Sequence, residues 1–357
     1  MKYKYVDCIR GIAILLVILV HTSHSIGNLD IYTQLLARYS QMGVQLFFVA
    51  SAYTLCISNS NRNGESTPLY NYAIRRIFRI VPLYWFGILL YWTIASIGIY
   101  GPNIFSIENF TVQNIIFNFL FLHGFLESAN NTIVPGGWSV ATEMLFYTLF
   151  PFIINFAKQN ITSKYKLLYF VFGGILLSQI LINIFLYQGF ELFNNSYLYF
   201  SLVNQLPCFL IGIGYYYYIN NFQLKYNVLY DILLFIVSSV VSIHIFRLNV
   251  DYYYSLTPIF ASISFLFLFE IFRKIPKSNV GILSEIGKVS FSMYIFHFIF
   301  AYGIMFIPSR YTEFGIYSLL AWYIVVVALS FIIAKLSYRL FEVPFTEMGK
   351  KFITRSN

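Results

Sequence analysis

The sequence predicts an all-α, polytopic transmembrane helical bundle of about ten spans. Three observations predict it: 59% of the 357 residues are hydrophobic, only 10% are charged, and long apolar runs recur along the whole chain. A soluble globular domain carries roughly a quarter charged residues. The composition therefore excludes a soluble globular fold.

Ten apolar runs are long enough to cross a bilayer as helices. A further stretch, 112–126, has only about fifteen residues, so we expect one short re-entrant or interfacial segment there. The expected spans are 8–26, 40–58, 80–100, 138–157, 167–187, 196–219, 227–246, 252–272, 290–307 and 315–337.

The basic residues predict the orientation of the bundle. With the N-terminus in the cytoplasm, every Lys and Arg outside the spans lies on the inner side except Arg38, Arg247 and Arg310. This bias follows the positive-inside rule, so both termini are expected to be cytoplasmic. It also explains the formal net charge of +9 without a nucleic-acid partner.

We expect a single transmembrane domain over residues 1–345 and a short basic cytoplasmic tail over 346–357. No further soluble domain is expected. The three cysteines form no Cys-x-x-Cys pair, so neither a disulfide framework nor a metal site is predicted.

The first span carries Arg10 and His21, which are eleven residues apart. In a helix this spacing is three turns plus about 20°, so both side chains point from one face. A rise of about 16 Å places Arg10 at the cytoplasmic boundary and His21 in the outer half of the membrane. Arg10 alone could be a snorkelling end residue. Ionisable groups inside spans are rare and mark functional sites, which favours His21 as the reactive centre.

The fourth span begins on the outer side with Trp138 and Ser139, followed by Glu143 and Tyr147. Glu143 and His21 each lie about five residues below the outer end of their helices, at a depth of about 7 Å. A carboxylate and an imidazole could therefore meet. Glu143 could instead be a first-turn residue favoured by the helix dipole.

Two further groups lie towards the inner side. Arg75, Arg76 and Arg79 precede the third span, where they either anchor the helix or clamp an anion such as phosphate. Tyr294 and His297 lie in the ninth span, with His297 about 10 Å from the cytoplasmic side. On an ideal helix this is too shallow for His297 to share a level with His21.

Five elements occur in order along the chain: Asp7–Ala13 with His21, Gly43–Ser51, Arg76–Arg79, Trp138–Ser139 with Glu143 and Phe146–Tyr147, and Tyr338–Phe345. Together they resemble the signature of the acyltransferase 3 family of bacterial membrane acyltransferases. Ala52 stands where that family usually has glycine. The resemblance covers nearly the whole chain.

The resemblance implies transfer of an acyl group, usually acetyl from acetyl-CoA, to a hydroxyl of a cell-envelope glycan such as O-antigen, exopolysaccharide or peptidoglycan. It also implies a multi-pass protein of the bacterial cytoplasmic membrane, of the type without an appended periplasmic hydrolase-like domain, and no metal.

From the resemblance and the positions of the candidate residues we derive a hypothesis for their roles. His21 would act as general base or acyl carrier, and Glu143 would orient or stabilise its imidazole. The CoA phosphates would meet Arg76 and Arg79, with Arg75 and Arg10 assisting. The residues assigned to the acceptor side or to shaping the site are Trp138, Ser139, Tyr147, Tyr294 and His297.

Two other classes of function stay open at this point, a flippase or transporter of lipid-linked sugar and a glycan polymerase. A transporter is expected to carry internal repeats with broken helices, and the sequence shows no convincing repeat. Neither class needs acetyl-CoA, so use of that donor separates them from an acyltransferase.

Overall fold

The computed structural model describes residues 3–62, 64–100, 105–193, 196–222, 227–248, 250–274 and 281–353. All regular secondary structure in these residues is helical, which confirms the predicted all-α class. The helices are α1 Lys4–Ser23, α2 Ile31–Tyr39, α3 Gly43–Ser60, α4 Pro68–Ile97, α5 Val112–Phe119, α6 Gly137–Asn160, α7 Lys164–Tyr187, α8 Tyr197–Phe200, α9 Leu202–Asn221, α10 Val228–Leu248, α11 Asp251–Lys274, α12 Gly281–Lys288, α13 Ser290–Gly303, α14 Ile316–Ser337 and α15 Val343–Phe352.

Nine segments within the described residues are long and apolar enough to cross a membrane. The number is ten if the bent pair Gly281–Lys288 and Ser290–Phe306, with an angle of 81° at its break, forms one span. The predicted multi-pass bundle is therefore confirmed. The side of the membrane on which the termini lie stays a prediction.

The chain divides into two compact units, and α1 and α6 each contribute to both. The first unit is Met1–Leu16, Tyr39–Ser60 and Thr142–Lys288, and the second is Val17–Arg38, Asn61–Ala141 and Val289–Asn357.

In the first unit, α9 packs against α3 and α7. A Cβ atom on Gly212 would lie 2.5 Å from the carbonyl oxygen of Val49, so the glycine lets α9 approach the backbone of α3. The ring of Phe209 stacks on Phe48 and on Phe146, with centroids 4.6 and 3.9 Å apart. Close helix approach and ring stacking thus form this core.

In the second unit, buried tyrosine hydroxyls join α4 to its neighbours. Tyr91 Oη donates to the carbonyl oxygen of Ile295 in α13 at 2.7 Å. Tyr84 Oη donates to Asn118 Oδ1 in α5 at 2.9 Å. These bonds satisfy polar atoms that would be costly to leave unpaired inside an apolar bundle.

The start of α4 corrects the predicted third span. The apolar run predicted a start near residue 80, whereas α4 begins at Pro68, with Thr67 as its N-cap residue. Proline suits the first helical turn because its missing N–H has no partner there anyway. The search for apolar runs does not detect the polar first turns of a helix. Consequently the arginines at 75–79 lie inside α4 and not in a loop before it.

The short segment after α4 does not cross as a helix. α5 has eight residues, about 12 Å of helix, and two 3-10 turns follow it. The buried amides of Asn114 and Asn118 donate to the carbonyl oxygens of Ser128 and Ala129, at 3.0 and 3.1 Å. Side-chain amides therefore provide hydrogen bonds to backbone carbonyl oxygens of this irregular segment.

Most of the predicted tail is helical. Residues 346–352 belong to α15, in which Phe352 stacks on Phe78 of α4 with ring centroids 5.6 Å apart. Residues 354–357 of that tail lie outside the described residues.

Candidate active site

His21 lies two residues before the end of α1, within a cluster of rings in the second unit. Its ring centroid lies 4.4 Å from that of Phe298 and 5.3 Å from that of His297. The rings of His24 and Tyr302 approach edge-on at 5.6 and 6.3 Å. His21 itself is half-buried, so the cluster holds its imidazole against α13 while leaving part of it accessible.

Two nitrogen atoms in this cluster are buried without a hydrogen-bond partner among the described residues, His21 Nδ1 and His297 Nε2. The other nitrogen of His297, Nδ1, lies 2.9 Å from the carbonyl oxygen of Tyr294 and 3.1 Å from that of Met293. Carbonyl oxygens only accept, so Nδ1 carries the hydrogen atom and, in a neutral ring, Nε2 carries a lone pair.

The proximity of His297 to His21 contradicts the expectation that the two residues lie at different levels. The predicted depth of His297 assumed a straight helix entering the membrane at residue 290. The chain instead bends by 81° between Lys288 and Ser290, so α12 and α13 do not form one straight helix. His297 lies in the His21 cluster, which the count along an ideal helix did not predict.

Tyr294 ties α13 to the residues that begin α6. Its hydroxyl donates to the carbonyl oxygen of Gly136 at 3.0 Å and lies 2.8 Å from Ser139 Oγ. Trp138 beside them is buried, with 7% of its surface exposed. The structure thus brings three predicted residues together, while their assignment to the acceptor stays a prediction.

Glu143 lies in the first unit, in a polar chain that links three spans. Its Oε1 atom accepts hydrogen bonds from Ser51 Oγ in α3 and from Tyr147 Oη in α6, both at 2.5 Å. Below them, Thr54 Oγ1 donates to the carbonyl oxygen of Ser51 at 3.0 Å and accepts from Arg10 Nη2 at 3.0 Å. Arg10 and Glu143 are therefore connected through α3.

Sequence reasoning missed Ser51 and Thr54 as partners of these charged groups. Ser51 ended the second recognised element, which was the available signal, but a small hydroxyl in an apolar helix gives no indication of its partner. Neither hydrogen bond on Glu143 comes from an imidazole. The pairing of Glu143 with His21 stays a prediction.

The three arginines of α4 differ in what surrounds them. Arg75 donates to both oxygens of Glu65, at 3.0 and 2.7 Å, and these bonds hold the pKa of that carboxyl below its usual value. Arg79 is half-buried and makes no hydrogen bond or ion pair with any described residue. Arg76 is also half-buried. Arg79 is thus the cation of this set best placed to take an external anion.

A cavity of about 550 Å³ lies inside the first unit, between α7, α9, α10 and α11. Its walls are mainly apolar, and its charged lining residues pair with one another, Lys274 with Asp231 and Arg273 with Glu270. None of the predicted site residues lines it. Within the described part of the chain, no three His, Cys, Asp or Glu side chains are grouped so as to hold a metal ion.

The fold defines a multi-pass integral membrane protein with ionisable side chains packed among its helices. Residues 3–339 match the acyltransferase 3 family, described as an acyltransferase domain, and the chain belongs to this family. The resemblance drawn from the five sequence elements is thereby confirmed.

The chain is similar to several proteins of Staphylococcus aureus. A protein of strain COL, provisionally named an O-acetyltransferase, is 26% identical over 98% of this chain and 59% of its own length. The O-acetyltransferase OatA of strain NCTC 8325 is 25% identical over 87% of this chain and 53% of its own length. The chain thus spans somewhat over half the length of these relatives. No solved structure matches it.

Proposed function

We propose that this protein is a membrane O-acyltransferase that moves an acyl group, most simply acetyl, from cytoplasmic acyl-CoA to a hydroxyl of a cell-envelope glycan. The observation that carries the proposal is His21, an intramembrane imidazole with a buried, unpartnered ring nitrogen in a chain of the acyltransferase 3 family. The bacterial cytoplasmic membrane is the proposed location.

His21 can serve the transfer in either of two ways. As a general base it takes the proton of the acceptor hydroxyl while that oxygen attacks the thioester carbonyl, and the departing CoA thiolate takes the proton. As an acyl carrier its ring nitrogen attacks the thioester, and the departing thiolate takes the proton from the other ring nitrogen. The acceptor hydroxyl then attacks the acyl-imidazole and returns its proton to the ring. Both routes need an uncharged, accessible imidazole nitrogen.

The donor would be held through its phosphates by the arginines of α4. A guanidinium provides several N–H donors in a planar fork that matches phosphate oxygens. Arg79 is the strongest candidate because no described residue occupies its guanidinium. Arg76 is the second candidate, whereas Arg75 holds Glu65 and would shape the site indirectly.

The acyl group and the acceptor atom are proposed from the relatives. Their names describe O-acetyltransferases, which favours acetyl as the group and a hydroxyl as the acceptor. Trp138, Ser139 and Tyr294 lie together where α6 begins, beside the ring of His297. A sugar hydroxyl approaching His21 would pass near these groups.

The test is acetyl transfer by membranes that contain the protein. Vesicles are given acetyl-CoA labelled in its acetyl group, and glycans of a deletion strain and its parent are compared by mass. Gain of acetyl mass that depends on the gene supports the proposal. A flippase or polymerase needs no acetyl-CoA, so glycan export or chain length that changes without any acetyl difference would overturn it.

A further inference from the structure

We propose that His297 is the positioning residue of His21: its Nε2 atom accepts a hydrogen bond from the Nδ1–H group of His21, which leaves His21 Nε2 with the reactive lone pair. This inference rests on the proposed function. It gives His297 the role of orienting the His21 imidazole, which the sequence analysis assigned to Glu143.

The first support is the fixed protonation pattern of His297. Its Nδ1–H group donates to two backbone carbonyl oxygens of its own helix, at 2.9 and 3.1 Å. The ring is fully buried, so the neutral form is favoured and Nε2 stays an acceptor. In this tautomer the Nε2 atom of His297 is a hydrogen-bond acceptor, and no described residue donates to it.

The second support is that His21 offers the complementary atom. Its Nδ1 is buried and unpartnered, and a neutral imidazole can place its hydrogen on that nitrogen. Leaving either buried polar atom unpaired costs about 1–3 kcal/mol, so a hydrogen bond between them removes both penalties. Catalytic hydrogen bonds are often long without substrate and tighten when it binds.

The third support is the packing that holds the two rings together. Phe298 contacts both imidazoles, with ring centroids 4.4 Å from His21 and 4.0 Å from His297, and is itself 1% exposed. The two histidine centroids are 5.3 Å apart. The proposed bond requires the half-buried His21 ring to turn so that its N–H group points at that lone pair.

The proposed hydrogen bond from His21 to His297 would act like the bond between the catalytic histidine of a hydrolase and the residue that orients it. A donor on one ring nitrogen fixes the tautomer and aims the other nitrogen at the substrate. Here a neutral lone pair replaces the carboxylate of such a triad. An uncharged partner suits a site inside the membrane, where an isolated carboxylate would be costly.

The test compares His297→Leu, which removes the acceptor, with His297→Gln, whose side-chain oxygen can replace it. For His297→Leu we expect kcat for acetyl transfer to fall roughly 10- to 100-fold, as when the partner of a metal-bound histidine is removed. The KM for acetyl-CoA should stay within about twofold. His297→Gln should recover a large part of kcat. His244→Leu, at an exposed position of α10, is the control.

Membrane abundance and thermal unfolding are measured for each variant, so that loss of fold is recognised. Unchanged kcat in His297→Leu would overturn the positioning role while leaving the proposed function intact. Equal loss in the Leu and Gln variants at matched abundance would also overturn it, because packing alone would then explain the effect. Absence of transfer by the wild-type protein would overturn the proposed function, and this role with it.

Discussion

The hydroxyl of Ser51 donates a 2.5 Å hydrogen bond to Glu143 Oε1, the atom that also accepts from Tyr147 at 2.5 Å. The two hydroxyls lie 3.0 Å apart. One carboxylate oxygen inside the bundle is therefore stabilised by donors from two helices, α3 and α6.

We expect Ser51→Ala and Tyr147→Phe each to lower the free energy of unfolding by about 1–3 kcal/mol, because each variant removes one of the two donors to Glu143. The loss stays limited because the other donor remains. The double variant should lose more than the sum, since Oε1 then has no donor. Denaturant titration in detergent measures this, with Thr148→Ala at an exposed position of α6 as the control. Strictly additive losses would contradict the shared-acceptor arrangement.

Arg79→Ala is expected to raise the KM for acetyl-CoA roughly 10-fold or more, since a hydrogen bond to a charged group is worth about 1.5–3 kcal/mol. Protein abundance should be unchanged, because no described residue depends on the Arg79 guanidinium. Arg75→Ala should instead leave the KM for acetyl-CoA nearly unchanged and lower thermal stability, because its bonds to Glu65 are lost. Steady-state kinetics and thermal unfolding distinguish the two. Equal KM effects would contradict the assignment.

Because His123 is buried, we expect the protein to lose stability as the pH falls. Burial lowers the pKa of His123 from 6.5 to about 4, and its Nε2 atom lies 3.0 Å from both Tyr84 Oη and the carbonyl oxygen of Gly137. Below pH 6.5 the unfolded chain binds a proton that the folded chain does not. The fold should therefore lose stability as the pH falls from 6.5 towards 4, by about 3 kcal/mol in total.

The measurement for His123 is thermal unfolding at about pH 7 and about pH 4.5, for the wild type and His123→Gln. The variant lacks the titrating ring, so its midpoint should fall less between the two conditions. If both proteins lose the same stability, His123 is not the group responsible.

Gly136→Ala should destabilise the protein more than Gly98→Ala does. Both glycines have a positive φ, 73° and 72°, so both variants incur backbone strain. A Cβ at Gly136 would also lie 2.7 Å from Tyr294 Oη and 3.1 Å from Phe298, whereas no atom of a described residue other than its chain neighbours lies within 4 Å of a Cβ at Gly98. The extra cost should be about 1–3 kcal/mol. Thermal unfolding decides it, and equal losses would contradict the packing.

Apolar runs predicted the class of fold and most spans because burial in lipid imposes a strong compositional constraint. They missed α2 and the first three turns of α4, because the polar residues of these segments interrupt any apolar run. The site was predicted less completely. His21 and Glu143 were chosen as candidates because ionisable groups are rare in spans, whereas Ser51 and Thr54 are ordinary residues there.

The place of His297 shows a second limit of sequence reasoning. Depth was counted along an ideal helix, and no residue of the sequence marks the break between α12 and α13 clearly enough to reset the count. The partnership of His297 with His21 depends on this tertiary geometry. Its fixed protonation likewise depends on backbone oxygens that the sequence alone does not position.

The central claim is that His21 is the reactive group, and one comparison tests it most directly. Acetyl transfer from labelled acetyl-CoA is measured for the wild type, His21→Ala and the control His244→Ala in vesicles with matched amounts of each protein. We predict that His21→Ala loses at least about 100-fold in transfer, the low end for removal of a general acid–base group, and that His244→Ala retains activity. Full acetylation by an abundant His21→Ala protein would contradict the claim.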